Sequence, residues 1–535
     1  MKIGVKSGKG RRQAIALKNR VRRDFGELGK LPFSTLRIIG AVGTLLIGIG
    51  GLGAGALPVI SNPWSELPGG ALMSRMLQAA TSVVFIGVGM LVSAWLMMAP
   101  HVGAFRGRSR VDAATLMRTY IVWVAPIVLT APLFTQDIYS YFAQGSILRR
   151  GLDPYAAGPV EILGSDDPLA RSVPFIWAHS ASPYGPVALG VSATISALTG
   201  DAVLPGVVAH RLVGILAILA GAWATTQLAR RCHVDPAAAL WLGVCNPLAI
   251  LHLVGGIHNE ALMLGLILVG MELGLRGVDA IDARTGTARG WLLIVASGIL
   301  LSCAGLVKVT GFIGLGFIGM ALARTLRQRA HPVVAIVAAG AVEAATLAAT
   351  TVAASLATGA GFGWLSSQGG AAQIRSIYSL TTNVGVAAGY AGMRLGLGDH
   401  TDAMLTVTRG AGVAGALVFM LRMLWGTYTG RIHPLGGLGV STLVMVLLFP
   451  VIQPWYCLWA ILPLAAWSST RALRTAVVAI SSLLCFVVLP RGLALPSETV
   501  ATIYLSAAVA FAVLGGLVWS FYRNRGRTIT LASHG

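Results

Sequence analysis

One aspartate stands where a carboxylate could act as a base on a hydroxyl group. Asp137 follows the apolar run Tyr120–Phe134 and opens a polar segment. Helical spacing predicts that Asp137, Tyr141 and Gln144 share one face of a helix that begins there. A carboxylate in the first turn, flanked by aromatic rings, suits a general base that takes a proton from a hydroxyl. The same carboxylate could instead cap the helix and complement its dipole, so both interpretations stay open.

Aromatic and amide side chains surround this aspartate and recur where the polar segment ends. Gln136, Tyr139 and Tyr141 flank it, while Trp177 and Tyr184 lie shortly before the next apolar run. Tyr184 belongs to an SPYGP turn, whose two prolines stiffen the backbone. Aromatic rings here either stack on a sugar or anchor the chain at the membrane surface. We take Gln136, Tyr139, Tyr141 and Tyr184 as candidate substrate-binding residues.

A second polar group, His258-Asn259-Glu260, separates two apolar runs. Asn259 is well placed to cap the helix that follows, with Glu260 in its first turn, which is a purely structural role. Polar side chains between two membrane-spanning runs also commonly line a functional site. We therefore include all three as candidate substrate-binding residues.

Lys308 is the only lysine after Lys30, and it lies between two apolar runs. A lone ammonium at such a position needs a partner, and a phosphate is a natural one. The other interpretation is that the side chain extends to the lipid headgroups. Trp455 and Tyr456, in a later QPWY turn, add polar aromatic rings that could converge on the same site.

The composition places these residues in a membrane protein. Of 535 residues, 55% are hydrophobic and 11% are charged, and the mean hydropathy is +0.76. Soluble proteins carry about 25% charged residues. A chain this long and this apolar cannot cover itself with a water-facing surface, which excludes a cytosolic enzyme, a secreted domain and a disordered protein. The sequence predicts an all-α polytopic membrane protein.

Apolar runs predict roughly fourteen transmembrane helices, because a span needs about 20 mostly apolar residues. The predicted spans are Ile38–Ile60, Leu77–Ala99, Tyr120–Phe134, Val207–Leu228, Ala237–Val254, Ala261–Leu275, Trp291–Val307, Val309–Leu322, Val333–Leu356, Met404–Trp425, Leu435–Ile452, Trp455–Trp467, Leu473–Leu489 and Val500–Tyr522. Two shorter apolar runs, Pro186–Gly200 and Thr381–Gly396, are predicted to form re-entrant or interfacial helices in the outer loops.

The positive charges give the predicted orientation. Ten of the 40 basic residues fall among the first thirty, so residues 1–34 are predicted to form a cytoplasmic polybasic arm and residues 35–535 the transmembrane domain. The arginines of the short loops all fall on the cytoplasmic side if both termini are cytoplasmic. Residues 136–185, with five of the 19 acidic residues, then form the first outer loop. The candidate site is therefore expected on the extracytoplasmic face of the plasma membrane.

Other chemistries find little support in the sequence. It has no Walker loop, no dinucleotide-binding glycine fingerprint and no nucleophile elbow. Basic residues are dispersed over short loops, so no nucleic-acid partner is predicted. The five cysteines show no metal or disulfide spacing, and neither a metal nor another cofactor is predicted. A secondary transporter stays an alternative to an enzyme, because transporters bind their substrates near the middle of the membrane and Glu343 lies inside an apolar run. A structural protein of the envelope would not need the polar first loop.

These motifs resemble those of the polyprenol-phosphate-mannose-dependent α-1,6-mannopyranosyltransferases of actinobacterial lipoglycan synthesis. TQDIYSYFAQGSILRRGLDPYAAGP at Thr135–Pro159 and SPYGP at Ser182–Pro186 are specific to that group. NPLAILHLVGGIHNEALMLG at Asn246–Gly265 matches as well. LVKVTGF around Lys308 and QPWYCLWAILP at Gln453–Pro463 match more loosely and are shared more widely among GT-C membrane glycosyltransferases. The resemblance extends from about the third span nearly to the C-terminus.

The resemblance implies a GT-C fold and a mannose taken from polyprenyl-phosphate-mannose on the outer face. The sugar would pass to the 6-hydroxyl of a growing lipomannan or a related mannosylated glycolipid, and Asp137 matches the acidic base of the first outer loop. A β-linked donor and an α-linked product imply one inverting displacement, in which Lys308, or Arg375 as second candidate, holds the departing polyprenyl phosphate. Glu260 stands where other members have aspartate, which keeps the charge but moves it. Another lipid-linked sugar, such as arabinose, is the alternative within this class.

Overall fold

The structure is a computed structural model that describes residues 31–105, 107–284, 286–367 and 375–532, with side chains described as far as residue 517. Every regular element in these ranges is a helix, which confirms the predicted all-α polytopic class. Residues 1–30 of the predicted N-terminal arm lie outside the described residues, and the first described helix begins at Phe33. The division into an arm and a transmembrane domain stays a prediction.

Nine helices in the described ranges are long and apolar enough to cross a membrane, and each overlaps a predicted span. Caps set their ends: the helix Pro332–Thr358 has proline in its first turn and ends at Gly359, whose φ is +72°. The nine are Phe33–Ala54, Leu77–Met98, Val203–Arg231, Glu260–Asp282, Thr287–Val307, Val309–Leu326, Pro332–Thr358, Thr401–Thr429 and Ser497–Ala532.

The other predicted spans are bent or short, so the count of roughly fourteen is not confirmed. The span Ala237–Val254 is a bent pair, Pro236–Leu242 and Pro247–Gly255, with 53° between its parts. The break falls here because Pro247 lacks an N–H and the side chain of Asn246 caps the second part. The remaining predicted spans correspond to Ala113–Ile127, Pro434–Leu448, Leu458–Trp467 and Arg471–Leu484.

The two apolar runs predicted as re-entrant or interfacial form the helices Pro186–Thr199 and Leu380–Arg394, of 14 and 15 residues. The first packs along the helix Asp137–Arg149, where the guanidinium of Arg149 donates to the Ser196 hydroxyl at 2.8 Å. It therefore covers one flank of the helix that begins at the candidate base. The other short helices are Pro63–Glu66, Gly70–Arg75, Pro159–Leu163, Pro168–Ser172, Phe175–Ala178, Gly363–Leu365 and Pro454–Cys457.

The predicted span Tyr120–Phe134 is helical only in its first half. The helix Ala113–Ile127 ends, and residues 128–136 continue as irregular chain to Asp137. A second stretch, residues 254–259, comprises the last two residues of the π-helical turn Ile250–Gly255 and the irregular chain that leads from it to Glu260. The two lie side by side, since the amide of Leu133 donates to the carbonyl of Gly255 at 3.0 Å. We call residues 128–136 and 254–259 the two site segments.

Arg211, on the long helix Val203–Arg231, joins the two site segments. Its side chain is completely buried. The guanidinium donates hydrogen bonds of 2.5 to 3.4 Å to the backbone carbonyls of Val128, Thr130, Ala131, Val254 and Gly255. An arginine has five N–H donors, and here they replace the helical partners that the irregular backbone lacks. We call this arrangement the Arg211 clamp.

Basic loop residues gather at the end of the bundle opposite Asp137. The helix that begins at Glu260 ends near Asp279, which pairs with Arg231. The guanidinium of Arg329 donates to the carbonyl of Ile281 in the same region, at 3.1 Å. The two ends of the bundle are thus chemically distinct, as the loop charges predict. Which end faces the cytoplasm stays a prediction.

Arg211→Met removes all five donors and keeps a side chain of similar length. Because carbonyls in the interior lose their partners, we expect the free energy of unfolding to fall by about 3 kcal/mol or more. The unfolding temperature of the detergent-solubilised protein measures this loss. Arg230→Met, at the exposed end of the same helix, is the matched control and should leave that temperature unchanged. Equal unfolding temperatures for the Arg211 variant and the unaltered protein would contradict the clamp.

Candidate active site

The helix Asp137–Arg149 presents the candidate base at its first residue. Its N-cap is Gln136, whose side chain makes no capping bond, and the Thr135 hydroxyl accepts the amide N–H of Asp137 at 3.2 Å. The carboxylate of Asp137 instead contacts two other loops. The indole N–H of Trp177 donates to Oδ1 at 2.8 Å, and Oδ2 lies 3.7 Å from Nδ1 of His258. This geometry favours the base over the helix cap.

Burial raises the pKa of the Asp137 carboxyl above its usual range. Hydrogen bonds from Trp177 and Thr135 oppose that rise, the negative charge of Glu260 adds to it, and the positive charge of Lys308 opposes it. A carboxylate with a raised pKa accepts a proton more readily near neutral pH. The environment of Asp137 therefore suits general-base chemistry.

His258 lies in a stack of aromatic rings beside Asp137. Its ring centre is 3.8 Å from that of Trp455, and the ring of His252 stacks on the same indole at 5.2 Å. Within the described part of the chain, Nε2 of His258 has no hydrogen-bond partner. Burial, reinforced by the charge of Lys308, holds the pKa of His258 well below its usual range. Both effects favour the neutral imidazole, and Nε2 is left for a ligand.

A buried ion pair adjoins this stack. Nζ of Lys308 donates to Oε1 of Glu260 at 2.6 Å and to the Tyr456 hydroxyl at 3.3 Å. The indole N–H of Trp455 donates to the same Oε1 at 3.3 Å. The ammonium also lies 4.4 Å from the ring centre of Tyr456 and 5.1 Å from that of Trp459, in cation–π contact. Lys308 is thus held inside the site and does not extend to headgroups.

These contacts form one connected group of side chains from four separate parts of the chain. Asp137 approaches His258, His258 stacks on Trp455, Trp455 donates to Glu260, and Glu260 pairs with Lys308. We call these five residues the polar cluster. It places a carboxylate and an ammonium on either side of a ring stack, which is an arrangement for chemistry that both removes a proton and neutralises an anion.

The SPYGP turn lies against the cluster next to Lys308. Gly185 approaches Leu306 so closely that a Cβ at this position would lie 2.4 Å from the Leu306 carbonyl oxygen. The preceding Tyr184 meets the ring of Tyr141 edge-on, with ring centres 5.0 Å apart. Because Tyr141 lies on the helix that begins at Asp137, the turn joins that helix to the backbone just before Lys308.

Each site segment contains a bulky residue in the left-handed region of φ. Phe134 has a φ of +68°, and Ile257 has a φ of +56°. They lie just before Asp137 and His258. Such residues rarely adopt positive φ, and strained conformations cost about 1–3 kcal/mol each and cluster at functional sites. The Arg211 clamp holds both segments in place.

Two predicted ligands, Gln136 and Tyr139, have structural partners instead. The amide of Gln136 donates to the carbonyl of Leu57 at 2.6 Å, and the Tyr139 hydroxyl donates to that of Ala56 at 2.8 Å. Both carbonyls follow the end of the first described helix. These two side chains therefore fasten the start of the Asp137 helix to its neighbour, and the structure does not bring them into the polar cluster.

Asn259 and Arg375 also lie outside the polar cluster. Asn259 occupies the predicted N-cap position of the next helix, but its side chain makes no capping bond. Arg375 pairs with Asp402 at 2.9 Å, and both side chains are largely exposed. The role of Arg375 at a phosphate stays a prediction.

Several residues of the site escaped the sequence analysis. His252 lies in the π-helical turn Ile250–Gly255, an irregularity that an apolar run conceals. Trp459 follows Trp455 by one helical turn, and this spacing could have revealed it. Arg211 stands inside a predicted span, where an arginine is costly unless bound, so its position was itself a signal.

Among the residues that the structure describes, neither a metal-binding group nor a cysteine belongs to this site. There, no group of three or more His, Cys, Asp and Glu side chains could hold a metal ion. The five cysteines are free thiols. The absence of a metal or another cofactor stays a prediction.

Glu343 is the residue that favours a transporter in the sequence, and it lies apart from the polar cluster. It is buried in the helix Pro332–Thr358, and neither carboxylate oxygen has a hydrogen-bond partner among the described residues. It lines a cavity of about 260 Å³ whose other walls are apolar side chains and glycines. None of these lining residues belongs to the polar cluster.

The chain matches known proteins along most of its length. The sequence profile described as "Alpha-(1->6)-mannopyranosyltransferase, N-terminal domain" covers residues 37–324, which include four members of the polar cluster. The chain belongs to this family. A second profile, "MptB C-terminal domain", covers residues 381–516 and includes Trp455. Membership in the alpha-(1->6)-mannopyranosyltransferase family confirms the resemblance seen in the motifs and makes the chain a membrane glycosyltransferase.

Individual relatives agree with the family assignment. Alpha-(1->6)-mannopyranosyltransferase B of Corynebacterium glutamicum is 58% identical over 92% of this chain and 83% of its own length. A probable alpha-(1->6)-mannopyranosyltransferase of Mycolicibacterium smegmatis is 40% identical over 84% and 82%. An alpha-(1->6)-mannopyranosyltransferase of Mycobacterium tuberculosis is 40% identical over 83% and 80%. No solved structure matches the chain, so the GT-C fold stays an implication of the motifs.

Removing one charge of the buried pair should leave the other unpaired. We expect Glu260→Gln and Lys308→Met each to lower the free energy of unfolding by about 3 kcal/mol. The double variant should lose less than the sum of the two, because neither charge is then left alone. Unfolding temperatures of the four proteins in detergent measure the coupling. Strictly additive losses would contradict a direct ion pair.

Proposed function

We propose that the chain transfers mannose from polyprenyl-phosphate-mannose to the 6-hydroxyl of a mannosylated lipid acceptor, and so builds the α-1,6-mannan backbone of lipomannan or lipoglycan. One observation carries this proposal: the polar cluster brings a half-buried carboxylate, Asp137, and a cation, Lys308, into a single site. Sugar transfer from a lipid phosphate needs a base for the hydroxyl and positive charge for the departing phosphate. Family membership and the names of the relatives support mannose as the sugar.

Asp137 acts as the general base in this proposal. Its carboxylate takes the proton of the acceptor 6-hydroxyl while that oxygen forms a bond to C1 of the mannose. The bond between C1 and the phosphate oxygen breaks, and its electron pair leaves with the polyprenyl phosphate. A single displacement converts a β-linked donor into an α-linked product, with no glycosyl-enzyme intermediate. The raised pKa of Asp137 supports this role.

Lys308 neutralises the phosphate that departs. An ammonium has three N–H donors. Glu260 and Tyr456 accept two of them, which leaves the third for a phosphate oxygen. Arg375 is the second candidate, but its guanidinium would first have to leave Asp402.

The remaining residues around the polar cluster bind sugar in this proposal. The rings of Tyr141, Tyr184, Trp455 and Tyr456 lie close to the polar cluster. Aromatic faces suit the apolar surface of a sugar ring, and the unpaired nitrogen of His258 suits a sugar hydroxyl.

The polar cluster faces away from the cytoplasm at the plasma membrane in this proposal, with both termini cytoplasmic. The basic residues at the opposite end of the bundle support this orientation, since cytoplasmic loops carry the excess of arginine and lysine. A donor and an acceptor that are both lipid-linked could then reach the site from the outer leaflet.

The first experiment measures transfer in membranes supplied with lipid-linked mannose, arabinose or glucose. We expect transfer from the mannose donor and an α-1,6-linked product. Asp137→Asn should lower this transfer by about 10²–10⁴-fold because it removes the base. The exposed Asp166→Asn, in the same loop, is the control and should keep full activity.

Either of two results would contradict the proposal. Preferred transfer from the arabinose donor would make the chain an arabinosyl or related GT-C transferase. Full activity of Asp137→Asn at normal abundance would remove Asp137 as the base.

The proposal includes no divalent metal, because Lys308 supplies the positive charge at the phosphate. We therefore expect an excess of EDTA to leave the rate of mannose transfer unchanged. The measurement compares initial rates with EDTA alone and with Mg²⁺ or Mn²⁺ restored. A loss in EDTA that either ion reverses would show that a metal shares this role.

A further inference from the structure

We infer that Trp177 is a positioning residue, whose indole N–H fixes Oδ1 of Asp137 and so leaves Oδ2 as the atom that takes the acceptor proton. This inference rests on the proposed function, in which Asp137 is the base. It assigns a task to a residue that the sequence offered only as a membrane anchor or a platform for sugar.

The two oxygens of Asp137 have different surroundings. Oδ1 accepts the indole N–H of Trp177 at 2.8 Å, a normal hydrogen-bond distance. An indole is a donor only, so it can hold the carboxylate but cannot receive its proton. Oδ2 lies 3.7 Å from Nδ1 of His258, which is too far for a hydrogen bond. The Thr135 hydroxyl also hydrogen-bonds this carboxylate, but a carboxylate has about four acceptor sites. A substrate hydroxyl can therefore still approach Oδ2, whereas the indole already engages Oδ1.

The short helix Phe175–Ala178 is built to turn Trp177 inward. It begins directly after Pro174, and its first two residues, Phe175 and Ile176, are 85% and 55% exposed. Gly158 packs so closely beneath the end of the helix that a Cβ there would lie 2.5 Å from the carbonyl oxygen of Ala178. The helix therefore packs directly against the backbone at Gly158. Of its two aromatic side chains, Phe175 and Trp177, only Trp177 reaches the carboxylate of Asp137.

The indole bond also favours the ionised form of Asp137. Glu260 and the hydroxyls of Tyr141 and Tyr184 face this region together with His258 and Lys308, and the negative charge of Glu260 disfavours a second carboxylate. A hydrogen bond from a neutral donor stabilises the charged form of an acid. Trp177 therefore opposes the burial that raises the pKa of Asp137.

Trp177→Phe keeps an aromatic ring but deletes the N–H. Without that bond the pKa of Asp137 rises further, so the deprotonated and active form is lost at a higher pH. We expect the acid limb of the pH–rate profile for mannose transfer to move up by about one pH unit. We also expect kcat to fall while KM for the lipid donor stays unchanged. Trp177→His, which retains a ring N–H, should restore part of both.

Trp123→Phe is the matched control. The Trp123 indole also donates one hydrogen bond, to the carbonyl of Arg37 at 2.9 Å, but it lies outside the site. Its pH–rate profile should superimpose on that of the unaltered protein.

Two outcomes overturn the inference alone, and a third overturns the proposed function and the inference with it. An unshifted acid limb in Trp177→Phe shows that the indole does not act on the base. A rise in KM without any shift assigns Trp177 to sugar binding instead. If Asp137→Asn transfers mannose at the full rate, the proposed function fails, whatever the Trp177 variants do.

Discussion

Backbone carbonyls buried away from water each need a hydrogen-bond donor, and this requirement governs how the site is built. α-Helices meet it within themselves, but the two site segments, residues 128–136 and 254–259, depart from α-helical geometry. One guanidinium, that of Arg211, serves five carbonyls of these segments from a third part of the chain. The segments can therefore leave helical geometry inside the bundle and still remain next to each other. Asp137 and His258, which follow them, approach because of it.

The clamp explains why strained backbone persists just before the polar cluster. Phe134 and Ile257 hold positive φ values of +68° and +56°, a conformation that survives only where its surroundings over-determine it. Helical backbone would carry Asp137 and His258 in directions set by the helices themselves. Irregular backbone instead lets their side chains meet Trp177 and Trp455 from other loops. The cost of the strain is offset by the hydrogen bonds of Arg211 to both segments.

Much of the site could be predicted from the sequence, because the loops rich in arginine alternate with loops poor in it. This alternation indicates which loops share one end of the bundle. Asp137, Glu260 and Lys308 were placed at one end, and they meet in one cluster. Contacts within a loop were less predictable. The sequence predicts Tyr139 as a ligand beside Asp137, but two residues along a helix turn a side chain by about 200°, so it contacts Ala56 on another side. Apolar composition also cannot distinguish a continuous helix from a shorter helix followed by irregular chain that a buried arginine of another span stabilises, which is why the apolar run predicts helix for residues 128–134.

The polar cluster holds two carboxylates and one ammonium, so its charges do not cancel before substrate arrives. Glu260 already compensates Lys308 at 2.6 Å, and the carboxylate left over, Asp137, is buried, which raises its pKa. In the proposed reaction this excess is useful. Asp137 loses its negative charge when it takes the proton, and an equal charge arises on the phosphate beside Lys308. The net charge of the cluster and its substrates stays constant through the displacement, because negative charge moves from the carboxylate towards the ammonium. In the proposed reaction, a neutral residue in place of Glu260 would leave Lys308 more strongly bound to the product phosphate, so the ion pair would govern release as well as binding.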